Sequence, residues 1–393
     1  MSGLRAAEAV RRTGFDGELV VFGAEPHMPY NRPPLSKAAL EDHPQLEKLS
    51  FRISSTGRKV TWRLGQPVTS VSIKEQSIML ANGNRVEWDG LVVASGVRPR
   101  RLDIPGPVLG RYVIRSAGDA IRLRQAVYPG STVVILGAGF IGCEVASTCR
   151  SFGAEVHIVA PETVPMRNPL GVLFGQELQR RHEGYGVQFH METLPVAFEG
   201  IGRVQRVRLS DGTVLTADVV VESVGTIPNT DALEHNGLEL TDGVLCNNHM
   251  QIEDHPNLVA CGDVARFPNP FVDSAPRRVE HWNMAVDTAR RAGASLGSFL
   301  LSEELDSSEF RPLPSFWSDQ YEMRIQSFGT PLLGADDVRV LEGDLETEAA
   351  VGYHRGECLV GVVLLGLSSR HSHYRALVAQ SAASLARNHV PSA

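Results

Sequence analysis

Gly137, Gly139 and Gly142 follow four apolar residues, Val133–Leu136, and open a helical stretch in the run VVILGAGFIGCE. Each glycine has its own task in dinucleotide chemistry. The first allows a tight turn, the second lets backbone approach a pyrophosphate, and the third lets helix pack closely on strand. The helix start then offers unpaired N–H groups and a partial positive charge to phosphate. An acid about 20 residues further on would hold a ribose hydroxyl and select NAD. The strand tip at that place is Ala160, so Glu162, two residues beyond, is the substitute. No arginine immediately follows the strand to meet a 2′-phosphate, Arg167 being the nearest. The expectation is NADH, with NADPH left open.

The chain states this unit twice. Gly3 falls on Gly142, Ala7 on Ala146 and Gly14 on Gly153, at a constant separation of 139 residues. Further on, Asn82-Gly83 matches Asp211-Gly212, Asp89 matches Asp218, Gly96 matches Gly225 and Pro99 matches Pro228, at a separation of 129. Two copies imply two dinucleotides, the arrangement needed to pass a hydride between cofactors. In the first copy Glu25, just past the strand ELVVFG, is placed to take a ribose hydroxyl. The counterpart of Val133–Leu136, with two glycines, would lie before residue 1. The expectation is that the start is an artefact of annotation or a true truncation.

Bulk properties narrow the class. A chain of 393 residues implies two or three domains, and 42% hydrophobic with 21% charged residues is globular. A net charge of -7 argues against a general nucleic-acid binder. The apolar run Leu359–Leu367 is too short for a membrane span of about 20 residues, and no charged-then-apolar leader opens the chain. A cytoplasmic protein is expected. Cys143, Cys149, Cys246, Cys261 and Cys358 form no C-x-x-C or C-x4-C pair, so they are read as small buried thiols. No Cys and His cluster supplies four metal ligands, so no metal is expected.

Pattern then places the elements. Residues 3–13 read as a helix with Leu4, Ala7 and Val10 on one face, Leu91–Ala94 as a buried strand, and Val68–Trp88 as a hairpin turning at Asn82-Gly83. The prolines of Pro29–Lys37 argue against a regular element. In the second copy Val133–Leu136, Gly142–Phe152, Glu155–Val159, Leu178–Glu183 and Val204–Val221 read as strand, helix, strand, helix and hairpin-then-strand. A strand at Leu258–Ala260, a helix at Ala285–Leu296 and a tail with β-rich runs at Val338–Leu341 and Leu359–Leu365 complete the chain. The expected fold is α/β, with two doubly wound Rossmann-like dinucleotide-binding domains and a C-terminal α+β domain. Residues 1–107 and 230–308 form the first domain, 108–229 the inserted second, and 309–393 the third.

At this point the order PYNRPPLSK, G-x-G-x-x-G-x-E at 137–144, VGTIPN, CGDVARF, VEHW and FWSDQY is specific. It resembles the FAD-dependent NAD(P)H:ferredoxin reductases of the putidaredoxin reductase and biphenyl dioxygenase reductase type, which serve Rieske dioxygenases and haem monooxygenases. The resemblance covers nearly the whole chain. It implies that Arg32 and Lys37 contact FAD, with Lys37 near the flavin ring. It implies further that Val68 lies at the adenine end, that Arg115 holds flavin phosphate or ring, and that Asp263 binds the ribityl chain. Trp282 would lie against the flavin, and Gly225 would give the nicotinamide nucleotide close backbone access. Glu144 would meet the nicotinamide near Lys37, and these two are the catalytic candidates. One departure stands out: Asn283 is one place early in the EHW segment, with Met284 before Ala285.

The resemblance implies electron flow from NADH through FAD to a 2Fe-2S ferredoxin. A basic face would aid encounter with an acidic partner. Arg98, Arg100, Arg101, Arg277 and Arg278 are the candidates, each equally able to be solvated charge with no partner. Rival readings are a rubredoxin reductase, an NADH oxidase, or a non-catalytic NAD-binding protein that has lost FAD.

Overall fold

The computed structural model describes residues 1–41, 46–54 and 59–388. Its α-helices are α1 (Ser2–Arg12), α2 (Ala38–Glu41), α3 (Leu46–Leu49), α4 (Ala117–Ala126), α5 (Phe140–Ser151), α6 (Arg167–Gly184), α7 (Trp282–Leu300) and α8 (His371–Asn388). By their contacts the residues fall into two compact units: Met1–Asn31, Ser50–Arg98 and Ile227–Ser315 form the first, and Arg32–Leu49, Pro99–Thr226 and Phe316–Ala393 the second.

In the first unit α1 buries Leu4, Ala6, Ala7, Ala9 and Val10. It lies so close to α7 that a Cβ on Gly293 would stand 2.4 Å from the Ala6 carbonyl oxygen. His255–Ala260 runs parallel to Leu91–Val93 and antiparallel to Gln251–Ile252. Beside its core sit Val244, Val264, Phe267 and Met284. Val20–Gly23 pairs in parallel with Thr61–Leu64 as a separate two-stranded sheet. Among the described residues no strand joins these two sheets.

The second unit holds the complete copy. Its five-stranded sheet is parallel throughout, in the order Val187–Met191, Glu155–Ala160, Thr132–Leu136, Val219–Glu222, Arg111–Tyr112. Val133–Leu136 and Val219–Val221 are fully buried, as central strands of a parallel sheet must be. The repeat is visible in the turns. Asn82 Oδ1 accepts from the Asn84 N–H at 3.0 Å, and Asp211 Oδ1 from the Thr213 N–H at 2.9 Å. Both residues lead a glycine with positive φ into the second arm of a hairpin.

Residues 315–365 add a five-stranded antiparallel sheet in the order Ser315–Gln320, Met323–Gly329, Cys358–Leu365, Ala349–Arg355, Val338–Gly343. Phe316, Met323, Ile325, Val351 and Tyr353 share one core with Cys143 of α5 and with Leu170, Phe174 and Leu178 of α6. By these contacts the C-terminal domain packs against α5 and α6 within the second unit. Residues 32–49 join that unit as well.

Three local expectations also change. Pro33–Ser36 forms a 3-10 turn, because proline at the first helical positions gives up only an N–H that would be unpaired there. The helix expected at Leu178–Glu183 extends back to Arg167, across a kink at Gly171 with φ 76°. The helix expected at Ala285–Leu296 runs from Trp282 to Leu300.

Candidate functional site

The second unit carries a built nucleotide cradle. After Thr132–Leu136 the chain turns at Gly137 with φ 104°, where a Cβ would stand 2.4 Å from the Ser223 carbonyl oxygen. A Cβ on Gly142 would stand 2.0 Å from the Gly137 carbonyl oxygen, so helix and strand close up only with glycine there. Gly139, the N-cap of α5, faces open space, with no atom within 4 Å of an added Cβ. No side chain caps α5 and no acid lies in its first turn. Its unpaired N–H groups and open glycine fit a pyrophosphate. Glu162 is half-buried beyond the buried strand tip Ala160, and its backbone carbonyl accepts from the Glu192 N–H at 3.1 Å. Gly225, with φ 94°, accepts the Arg100 backbone N–H at 2.9 Å.

One turn into α5 the structure joins the two catalytic candidates. Lys37 Nζ lies 2.7 Å from Glu144 Oε2 and also donates to the Pro33 carbonyl at 3.2 Å. Ser36 Oγ donates to the same carboxylate oxygen at 2.5 Å. Ser318 Oγ donates to the other, Oε1, at 2.6 Å. Glu144 is only 5% exposed, so these partners, and not water, satisfy its carboxylate oxygens. Thr148 Oγ1, one turn further along α5, donates to the Ser36 carbonyl at 2.8 Å and fixes the PPLSK turn to the helix. Arg32 donates to the Arg115 carbonyl at 2.6 Å, so these two candidates also meet.

The first unit holds the remaining candidates. Gly3 lies in the first turn of α1, a helix with no side-chain cap and no acid in its first turn. Glu25 accepts from Tyr30 Oη at 2.6 Å. Asp263 sits in the 3-10 turn Gly262–Val264 that follows His255–Ala260. Burial lowers the nearby His281 imidazole to about 4, with the Asp263 charge opposing. Trp282 begins α7 and packs at a tilt against Phe51, with ring centroids 5.9 Å apart. Val68 starts the hairpin strand Val68–Ser72 and is half-buried. Carboxylates for sugar hydroxyls and a helix start for phosphate suit part of a flavin dinucleotide. Asn283, the residue one place early, is structural: it donates to the Leu313 carbonyl and accepts from the Ser315 N–H.

Ser36, Ser318 and Gln320 went unnoticed at the sequence level. Ser36 sits beside Lys37 in the motif. Ser318 and Gln320 alternate with half-buried positions in Ser315–Gln320, but pattern alone does not say which face of a strand is inward.

All five cysteines are free, and Cys143, Cys149, Cys246 and Cys261 are buried. Burial pushes Cys149 and Cys261 up to about 12 and raises Cys143 and Cys246 as well. Such thiols are poor nucleophiles. Among the described residues no group of three or more His, Cys, Asp or Glu is placed to hold a metal. No described helix is long and apolar enough to cross a membrane.

Residues 1–289 match the family described as pyridine nucleotide-disulphide oxidoreductase, and residues 315–390 match the module described as reductase C-terminal. The chain belongs to this oxidoreductase family. It is 33% identical over 372 residues to rhodocoxin reductase of Rhodococcus erythropolis, covering 94% of this chain and 84% of that protein. It is 32% identical over 344 residues to the anthranilate 1,2-dioxygenase system ferredoxin–NAD(+) reductase component of Burkholderia cepacia, covering 86% and 82%. Among solved structures it resembles the covalent putidaredoxin reductase–putidaredoxin complex with a TM-score of 0.88 and 27% identity, covering 97% of this chain and 91% of that one.

Proposed function

We propose that the chain is the flavoprotein reductase of an oxygenase system, passing electrons from NADH through FAD to a 2Fe-2S ferredoxin. The observation that carries this reading is the sequence of an open glycine cradle and, one turn into the same helix, a nearly buried Glu144–Lys37 pair. When bound, FAD accepts a hydride and returns its electrons singly. The residues bind and orient. Gly137, Gly139 and Gly142 take the NADH pyrophosphate at the α5 N-terminus, Glu162 a ribose hydroxyl, and Gly225 offers backbone access. Glu25 and Asp263 take flavin sugar hydroxyls, Gly3 opens the helix aimed at its phosphates, and Arg32 and Arg115 add cationic contacts. Val68 packs at the adenine end and Trp282 against the ring. Lys37 and Glu144 line the place where hydride passes, holding each other so that neither is an unpaired charge.

A ferredoxin is the electron acceptor, and docking is the finer part of the proposal. Four of the five arginine candidates are already engaged. Arg98 pairs with Asp231, Arg277 with Asp273, and Arg278 with Asp242 and Glu280. Arg101 pairs with Glu222, a buried carboxylate that burial would raise but that donors from Arg111, Leu102 and Arg101 hold below its ordinary range. Arg100 is exposed and its side chain makes no ion pair among the described residues, which makes it the leading docking residue. Free, mostly buried thiols suit a reducing cytoplasm.

The test is anaerobic stopped-flow on FAD-loaded protein. NADH is expected to bleach the flavin band, and added 2Fe-2S ferredoxin to take the electrons. Arg100→Glu is expected to slow the second step alone. A preparation that binds NADH but never flavin would favour the non-catalytic reading, and one that reduces oxygen or rubredoxin faster than ferredoxin would favour those rivals.

A further inference from the structure

Glu144 is held from the C-terminal module as well as from the PPLSK turn. Ser318, which donates to Glu144 Oε1, belongs to Ser315–Gln320, whose alternate positions Phe316, Ser318 and Gln320 are buried. Gln320 Nε2 lies 3.0 Å from Ser318 Oγ and 3.5 Å from Met166 Sδ. Gln320 Oε1 lies 2.7 Å from Nε2 of His182, in the last turn of α6. Ser318 and His182 are 0% exposed and Gln320 1%. His182 Nδ1 has no partner, and the ring packs edge-on against Phe189 and Tyr321.

Donor and acceptor accounting gives this row a direction. An ionised carboxylate only accepts, so Ser318 gives its single proton to Glu144 and must accept from Gln320. That orients the Gln320 amide with nitrogen toward Ser318 and oxygen toward His182. His182 must then carry its proton on Nε2, which matches the bare Nδ1. Every hydrogen in the row points from α6 toward α5.

We propose that Ser318, Gln320 and His182 are positioning residues that fix the Glu144 carboxylate, so that Oε2 meets Lys37 and Ser36 while Oε1 is held from the opposite side. This rests on the reading of Lys37 and Glu144 as the pair lining hydride transfer. The C-terminal module thereby sets the geometry of a side chain that belongs to the nucleotide-binding helix. A row of buried polar groups is costly unless complete, whereas apolar residues would pack the same interface without it. Removing one member frees the carboxylate to rotate, and misplacement by about 1 Å costs up to roughly a hundredfold in rate.

A double-mutant cycle tests this, with Ser318→Ala and Gln320→Met each made alone and together with Glu144→Gln. Three readouts are taken: the rate of flavin reduction by NADH, the NADH dissociation constant, and the imidazole 15N shifts of His182 in protein without NADH. Each single variant is expected to slow flavin reduction roughly tenfold or more at unchanged NADH affinity, and Ser318→Thr to restore most of it. In the Glu144→Gln background the further loss should vanish. The Nε2–H tautomer of His182 should be fixed in the wild type and lost in Gln320→Met. Equal losses in both backgrounds, or a fall in melting temperature with no change in rate, would overturn the positioning role. If Glu144→Gln alone leaves the rate unchanged, the reading of the pair falls, and the tautomer readout still decides whether the row exists. Should Ser318→Ala fail to fold, Gln320→Met carries the cycle.

Discussion

Gly139 and Gly142 stand three residues apart in one motif, yet they fail differently when a methyl group is added. At Gly142 the new Cβ meets the Gly137 carbonyl oxygen at 2.0 Å, so Gly142→Ala must spread helix from strand. At Gly139 the space is open and φ is -84°, which alanine adopts freely. Gly139→Ala is therefore expected to leave the melting temperature unchanged while weakening NADH binding about tenfold or more, because the methyl group occupies the pyrophosphate's approach. Gly142→Ala should lower the melting temperature by several degrees, since overpacking costs about 1–3 kcal/mol. Calorimetry alongside nucleotide titration checks both, and equal behaviour of the two variants would contradict the cradle. These glycines were legible because their spacing follows backbone geometry. Lys37 and Glu144 lie 107 residues apart. Nothing local announces their contact, and only the resemblance linked them. Ser318 and Gln320 were visible only as letters of FWSDQY, and His182 not at all, because polar side chains on a strand or helix normally signal solvent.

At the level of elements, the sequence was most readable where turn chemistry is stereotyped. Asn82-Gly83 and Asp211-Gly212 close their hairpins with the same side-chain acceptor, and the matched spacing survives folding intact. Boundaries were less readable, since α6 begins at Arg167 and reaches the expected Leu178–Glu183 only across a kink at Gly171. Helix α4 escaped notice although its start is well signalled. Ser116 caps it by accepting the Asp119 N–H at 3.2 Å, and Asp119 Oδ2 accepts the Ser116 N–H at 2.8 Å. Ser116→Ala removes half of this capping box and should cost about 1 kcal/mol. The expected readout is a melting temperature lower by a few degrees with NADH affinity unaltered. No change in melting temperature would mean the box adds nothing.

For the whole molecule, the α/β class was readable in the sequence, while the core that the tail shares was not. Which core the tail joins depends on side chains from α5, α6 and residues 316–365 that share no sequence signal. The same packing gives the molecule an acid weakness. Burial lowers His182 from 6.5 to about 4, partly offset by its bond to Gln320. Above pH 6.5 both folded and unfolded chains leave it neutral, so it has no effect there. As pH falls from 6.5 toward 4 the unfolded chain takes the proton first, and stability drops by up to about 3 kcal/mol; below 4 this group adds nothing more. Thermal unfolding measured across that range should show the loss, and His182→Gln should flatten it. A wild-type curve without that slope would argue that the imidazole is not sealed as described.

Sharing one core between α5, α6 and the last sheet has a hereditary consequence. A recombination that spliced the segment after Ser315 from a distant cousin would bring foreign partners to Phe174, Leu178 and Glu144 at once. Exchanges should therefore prosper only when these inner positions travel together, so swapped tails that fold will carry matching changes on both helices.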